Sequence, residues 1–305
     1  MALHPQAEAA LAQLAAVPAP GDPGFGPEDT AARRAEQLTV AAEEVKEPVG
    51  HVEDVDADGV ACRLYLPEQE QPRQLGCVVY LHGGGFVFGE VETHDAHSRR
   101  LANRTGMAVL TVDYRRPPEH RFPAAPDDTD TALGWLVVHG ASWGIDPTRL
   151  AVVGDSAGAN LALVAALRNP NLFIAAVLVY PFLDPQAAGA SYATESLASL
   201  SVEQCAWYWE QYAAAPADLE HPDLAPLRAD GFETLPPTLV QLAEHDVLLD
   251  EGRELSRLIA AADVAVTTTT YRGMVHGFWR QTAVYDAAVE ALAEAASFLR
   301  GSVQG

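Results

Sequence analysis

The sequence predicts an α/β fold in which a mostly parallel sheet carries helices on both faces. Short continuous apolar runs at 77–81, 107–112, 150–153, 175–180, 238–242 and 264–271 alternate with helical stretches at 95–105, 127–143, 157–168, 249–262 and 285–300. Continuous apolar runs mark strands covered on both faces. Strand–helix alternation implies right-handed crossovers between parallel neighbours. The length, 305 residues, fits one such domain with an insertion, or two domains. The stretch Leu150-Ala-Val-Val-Gly-Asp-Ser-Ala-Gly158 then fixes a landmark: an apolar run stops at Gly154, a small-residue turn holds Ser156, and a helix follows.

Taken in order, residues 1–17 read as a helix, broken by the Pro/Gly-rich stretch 18–24. Residues 28–38 read as a second helix with Pro27 near its start. Both precede the sheet, as a lid over it or as a stabilising arm. The stretch 51–67 reads as two strands around Asp58-Gly59, a hairpin signal that adds an antiparallel edge. Residues 184–236 separate two strands by far more than a normal crossover. They are an insertion, with a helix-like piece at 202–214 and a Pro-rich return at 221–227. Trp207, Tyr208, Trp209 and Tyr212 concentrate there, to anchor the insertion, to line an apolar pocket, or both. The expected division is a cap segment at 1–50, an α/β body at 51–183 and 237–305, and a cap insertion at 184–236.

Apolar content of 49% and charged content of 20% are those of an ordinary globular protein. A net charge of −23 disfavours nucleic acid and anionic membrane surfaces as partners. Lys46 is the single lysine. Cys62, Cys77 and Cys205 are few, odd in number and widely spaced, so neither a disulfide framework nor a zinc site is expected. Buried free thiols fit a cytoplasmic location. Residues 1–20 lack a basic start and read as an amphipathic helix, not a leader. No apolar stretch is long enough to span a bilayer.

A glycine-flanked serine between strand and helix is the setting of a nucleophile elbow. The hydroxyl needs a base, usually histidine held by a carboxylate. In this chain order the acid and then the histidine follow the serine. Only His221, His245 and His276 do so. His221 lies in the insertion and His245 directly precedes Asp246, whereas His276 sits in a loop after the last strand. His276 is therefore the expected base. For the acid, Asp246 is favoured over Glu244 and Asp250; Asp250 and Glu251 fall at a helix start, where carboxylates cap N–H groups. Three glycines follow His82, immediately after the strand at 77–81. Their backbone can approach a substrate closely. The N–H groups of Gly83 and Gly84, with that of Ala157, are the expected oxyanion donors. His82 itself is expected to shape the loop. Phe86, Phe88, Asp155, Tyr180, Trp207 and Phe278 are the expected substrate contacts; no metal or cofactor is expected.

These motifs resemble those of the hormone-sensitive lipase-like group of α/β-hydrolases, the bacterial family IV esterases. The shared residues are His82-Gly-Gly-Gly-Phe86, Asp113-Tyr-Arg, Pro118-Glu-His-Arg-Phe-Pro-Ala124, Gly154-Asp-Ser-Ala-Gly158, the stretch Asp246 to Gly252, and Val275-His-Gly-Phe278. Arg116-Pro117 departs from the Leu-Ala usual in relatives. The resemblance implies an α/β-hydrolase fold with an eight-stranded, mostly parallel sheet and a helical cap. It implies hydrolysis of short- to medium-chain acyl esters, with Ser156 as nucleophile, His276 as base and Asp246 orienting it. It also implies a possible homodimer through an edge strand. Two other readings of the same site are an amidase or peptidase, and a non-catalytic small-molecule receptor.

Overall fold

The computed structural model describes residues 2–13, 19–70, 73–195 and 199–304. Among them, eight strands form one sheet: β1 (His51–Ala57), β2 (Val60–Leu66), β3 (Leu75–Leu81), β4 (Ala108–Val112), β5 (Ile145–Asp155), β6 (Phe173–Val179), β7 (Thr238–His245) and β8 (Val266–Val275). Their spatial order is β1-β2-β4-β3-β5-β6-β7-β8. β1 and β2 form the expected hairpin, and β2 lies antiparallel to β4. All other pairings are parallel. The ends of β3, β5, β7 and β8 therefore open at one edge, and the loops there carry the site.

The helices are α1 (Pro5–Leu11), α2 (Pro27–Glu43), α3 (Val91–Thr105), α4 (Ala124–His139), α5 (Ala157–Arg168), α6 (Ser191–Thr194), α7 (Val202–Tyr212), α8 (Leu249–Ala261) and α9 (Asp286–Gln304). Side chains of β3 show how they cover the sheet. Cys77, Val79 and Leu81 enter one core with Leu136 of α4, Leu161 of α5 and Ile259 of α8. Val78 and Tyr80 enter the opposite core with Leu101 of α3 and Leu299 of α9. Each large apolar side chain so buried contributes roughly 1.5–3 kcal/mol.

Several bounds differ from the sequence reading, each for a physical reason. α1 ends at Leu11, and residues 14–17 of the expected helix lie outside those described. α3 starts at Val91, not 95, because Thr93 Oγ1 accepts the Glu90 N–H at 2.9 Å and caps it. Its buried face holds His94, Asp95, His97 and Ser98, which hide the apolar period. The tail of the expected helix 127–143 tightens into a 3-10 turn at Gly140–Trp143. β8 was expected to be covered on both faces, but it is the sheet edge. Its Thr267, Thr268 and Thr270 are exposed, and it runs on past Tyr271 to Val275.

In the insertion, Ser201 caps α7. Its Oγ accepts the Gln204 N–H at 3.2 Å, and the Gln204 side chain accepts the Ser201 N–H at 2.8 Å. Trp209 and Tyr212 are buried against the body. The Tyr212 ring lies flat on Phe86 at 3.7 Å, and Trp209 meets Phe182 at 4.2 Å. Trp207 and Tyr208 stay half-buried.

Candidate active site

Between β5 and α5 the chain turns so sharply that Ser156 adopts φ 55°, ψ −120°. Such a conformation is strained for a side-chain-bearing residue and survives only where the surroundings enforce it. They do. The Ser156 N–H donates to the Val179 carbonyl at 2.9 Å. A Cβ on Gly154 would fall 2.1 Å from the Gly158 oxygen, and one on Gly158 would fall 2.0 Å from the Leu81 oxygen. Only glycine lets the helix start sit this close to the strands.

Asp246 follows β7, and its Oδ1 accepts the Leu248 N–H at 3.0 Å. His276 follows β8 directly, and Ser199 Oγ donates to its carbonyl at 2.8 Å. The three side chains form one hydrogen-bonded line. Asp246 Oδ2 stands 2.7 Å from His276 Nδ1, and His276 Nε2 stands 2.9 Å from Ser156 Oγ. Asp246 is buried, while the imidazole keeps some exposure, 13%.

The rival carboxylates are occupied elsewhere. Glu244 accepts the Gly273 N–H at 2.7 Å. Asp250 and Glu251, expected to cap α8, instead reach across to the insertion. Asp250 accepts the Ser191 N–H at 2.9 Å, and Glu251 accepts the N–H groups of Leu183 and Asp184 and the Tyr192 hydroxyl. His245 faces Glu195 at 3.1 Å, and His221 accepts the Asp223 N–H.

The glycine loop requires a correction. The Gly83 N–H is not free: it donates to Asp155 Oδ1 at 3.0 Å. Among the described residues no acceptor takes the N–H groups of Gly84, Gly85 or Ala157. The free pair on this loop is thus Gly84 and Gly85. Asp155 is corrected with it. Its side chain turns under the loop, 3% exposed, where it also accepts the Tyr80 hydroxyl at 2.7 Å, and it presents nothing to a ligand. His82 stacks between His94 and Tyr114, at 4.9 and 4.3 Å. Burial drives its pKa down to about 3, so it is a neutral wall of the loop.

Of the expected aromatic contacts, Tyr180 packs on the His276 ring at 4.5 Å and Phe278 on Tyr180 at 6.0 Å. Phe86 is buried in the stack under α7. Phe88 and Trp207 lie against each other at 6.3 Å. Tyr208 was expected only as one of the insertion's aromatics, an anchor or a pocket wall. A Cβ on Gly85 would lie 2.2 Å from its ring, so Tyr208 roofs the free N–H loop. Among the described residues, no group of three His, Cys, Asp or Glu side chains stands together as a metal site.

A family model described as the alpha/beta hydrolase fold matches residues 78–280. The chain belongs to the α/β-hydrolase family. Within it, this hydrolase falls in the hormone-sensitive lipase-like esterase group. It is 36% identical over 253 residues to ethyl acetate hydrolase of Pseudomonas putida, covering 78% of this chain and 77% of the relative. It is 36% identical over 242 residues to carboxylesterase NlhH of Mycobacterium tuberculosis, covering 76% and 75%. A solved hyperthermophilic esterase from the archaeon Pyrobaculum calidifontis superposes with a TM-score of 0.90 at 35% identity, over 99% of each chain. This hydrolase is an esterase on that fold. No helix among the described residues is long and apolar enough to cross a membrane.

Proposed function

We propose that this esterase hydrolyses short- to medium-chain carboxylic acyl esters through a covalent acyl-serine. The observation that carries this reading is the line Asp246–His276–Ser156, with contacts of 2.7 and 2.9 Å. His276 Nε2 takes the Ser156 proton as Oγ attacks the ester carbonyl. The carbonyl oxygen gains negative charge and is held by the N–H groups of Gly84, Gly85 and Ala157. His276 returns the proton to the leaving alcohol. Water then enters, loses a proton to His276, and attacks the acyl-serine; the acid leaves as His276 passes that proton to Ser156 Oγ. Asp246 holds the imidazole tautomer and balances its charge while it is protonated.

The test is turnover of p-nitrophenyl butyrate. Ser156→Ala is expected to abolish it in a folded protein, and Asp246→Asn to lower kcat by up to ~10⁴. Near-wild-type rates in both would remove the assignment. The acyl-length reading is checked by a series of p-nitrophenyl esters from acetate to laurate. Short- to medium-chain members are expected to turn over fastest, and a maximum at laurate contradicts the reading.

The proposed cap comprises residues 1–50 and 184–236, over a body of 51–183 and 237–305. Contacts between distant segments support it. Phe25 meets Trp207 edge-on at 5.4 Å, and Tyr208 lies against Gly85. The exposed edge of β8 supports a homodimer, and the buried free thiols of Cys62, Cys77 and Cys205 support a cytoplasmic location.

A further inference from the structure

We infer that Arg280 is a positioning residue for acyl transfer: acting through Asp155, it sets the glycine loop against the nucleophile turn. The inference rests on the acyl-serine reading above. Asp155 precedes Ser156, and its carboxylate reaches three other parts of the chain. Oδ1 accepts the Gly83 N–H at 3.0 Å and the Tyr80 hydroxyl at 2.7 Å. Oδ2 stands 3.3 Å from Arg280 Nε.

Arg280 closes the turn Phe278–Arg280, just past His276. Its side chain is one-third exposed (34%), but its Nε is buried and makes no aligned hydrogen bond. The contact with Asp155 is therefore chiefly ionic. The Arg280 carbonyl is itself held by Arg100 at 3.3 Å, and Arg100 by Glu44, just past α2, at 2.7 Å. One carboxylate thus ties together the loops after β3, β5 and β8.

A buried aspartate left without its cation is an uncompensated charge, so its side chain is drawn out of place toward water. Oδ1 then no longer stays where the Gly83 N–H and the Tyr80 hydroxyl meet it. The fit leaves little slack: a Cβ on Gly83 would lie 2.6 Å from Asp155 Oδ2. A shift of that carboxylate moves Gly83 and, with it, the N–H groups of Gly84 and Gly85. Those groups matter most when charge develops on the substrate oxygen, so the loss belongs in kcat and not in KM.

The experiment is a double-mutant cycle on p-nitrophenyl butyrate with Arg280→Met, Asp155→Asn and the pair, alongside Arg280→Lys and Ser156→Ala. Arg280→Met is expected to lower kcat about 10- to 30-fold with KM within about twofold, since misplacement of ~1 Å costs up to ~100-fold. Arg280→Lys restores most of the rate. The double variant is no slower than Asp155→Asn alone, because Arg280 acts through that carboxylate. A kcat within twofold of wild type in Arg280→Met overturns the inference, as does a double variant whose loss is the product of the single losses. If Arg280→Met does not fold, as judged by circular dichroism, Arg280→Gln takes its place in the cycle under the same criteria. Loss of turnover in Ser156→Ala together with an unaffected Arg280→Met leaves the acyl-serine reading standing. Retained turnover in Ser156→Ala removes that reading first, and this one with it.

Discussion

At the scale of single residues, the tightest constraint is steric. Gly158 leaves no room for a side chain, since an added Cβ would sit 2.0 Å from the Leu81 carbonyl oxygen. Gly158→Ala is expected to push β3 from the nucleophile turn and to cost ~1–3 kcal/mol. A urea midpoint lowered together with esterase turnover checks this; an unchanged midpoint refutes it. Ser156, Asp246 and His276 were legible because each closes a strand, and chain order leaves few candidates. Gly83, Asp155 and Arg280 were not. The Gly83–Asp155 bond joins residues 72 positions apart, and nothing local marks which glycine N–H it will occupy. A lone arginine after Trp279 carries no pattern at all. Its partner becomes visible only when β3, β5 and β8 stand side by side.

At the scale of elements, polar residues inside helices blurred what hydrophobic periodicity could define. The first turns of α3 and α8 are the examples. Glu251, at the start of α8, is buried and grips the beginning of the insertion through Leu183, Asp184 and Tyr192. Burial raises its pKa to about 8, and the donors around it oppose that less strongly. The folded carboxyl is then protonated over a range where the unfolded one, near 4.5, is ionised. The folded state binds the extra proton, so stability falls as pH rises from about 4.5 to about 8. Glu251→Gln is expected to flatten that slope and to raise the melting temperature at pH 8. Thermal melts at pH 6 and 8 measure it, and an unchanged slope in the variant refutes it. Strand positions were easier to read than helix bounds, because continuous apolar runs survive burial on both faces. β8 was the exception. Its run of four threonines, Thr267 to Thr270, is the polar mark of an edge, and three of them are exposed.

At the scale of the whole molecule, the layered sheet with its antiparallel hairpin was legible, because alternation of runs restricts the topology. How the N-terminal segment and the insertion meet was not, since Phe25 and Trp207 carry no shared sequence signal. The molecule also holds three buried neutral histidines, His82, His94 and His97, whose pKa values burial drives down, that of His82 to about 3. In the unfolded chain they take up protons near pH 6.5. Their contribution to stability is present above that value and is lost as pH falls from about 6.5 toward about 3. Glu251 acts in the opposite direction and extends to about 8. Stability is therefore expected to peak near pH 6.5, with the steeper loss on the acid side. Urea midpoints across pH 4.5–8 test this, and a midpoint that rises on going from 6.5 to 4.5 contradicts it. The roof built by α7 has an optical consequence. Of the five tryptophans, Trp207 and Trp209 share that helix, one half-buried against Phe25 and Phe88, the other sealed against Phe182. Swinging the helix outward would wet both indoles and shift their emission to the red, so any movement of this roof is open to label-free fluorescence.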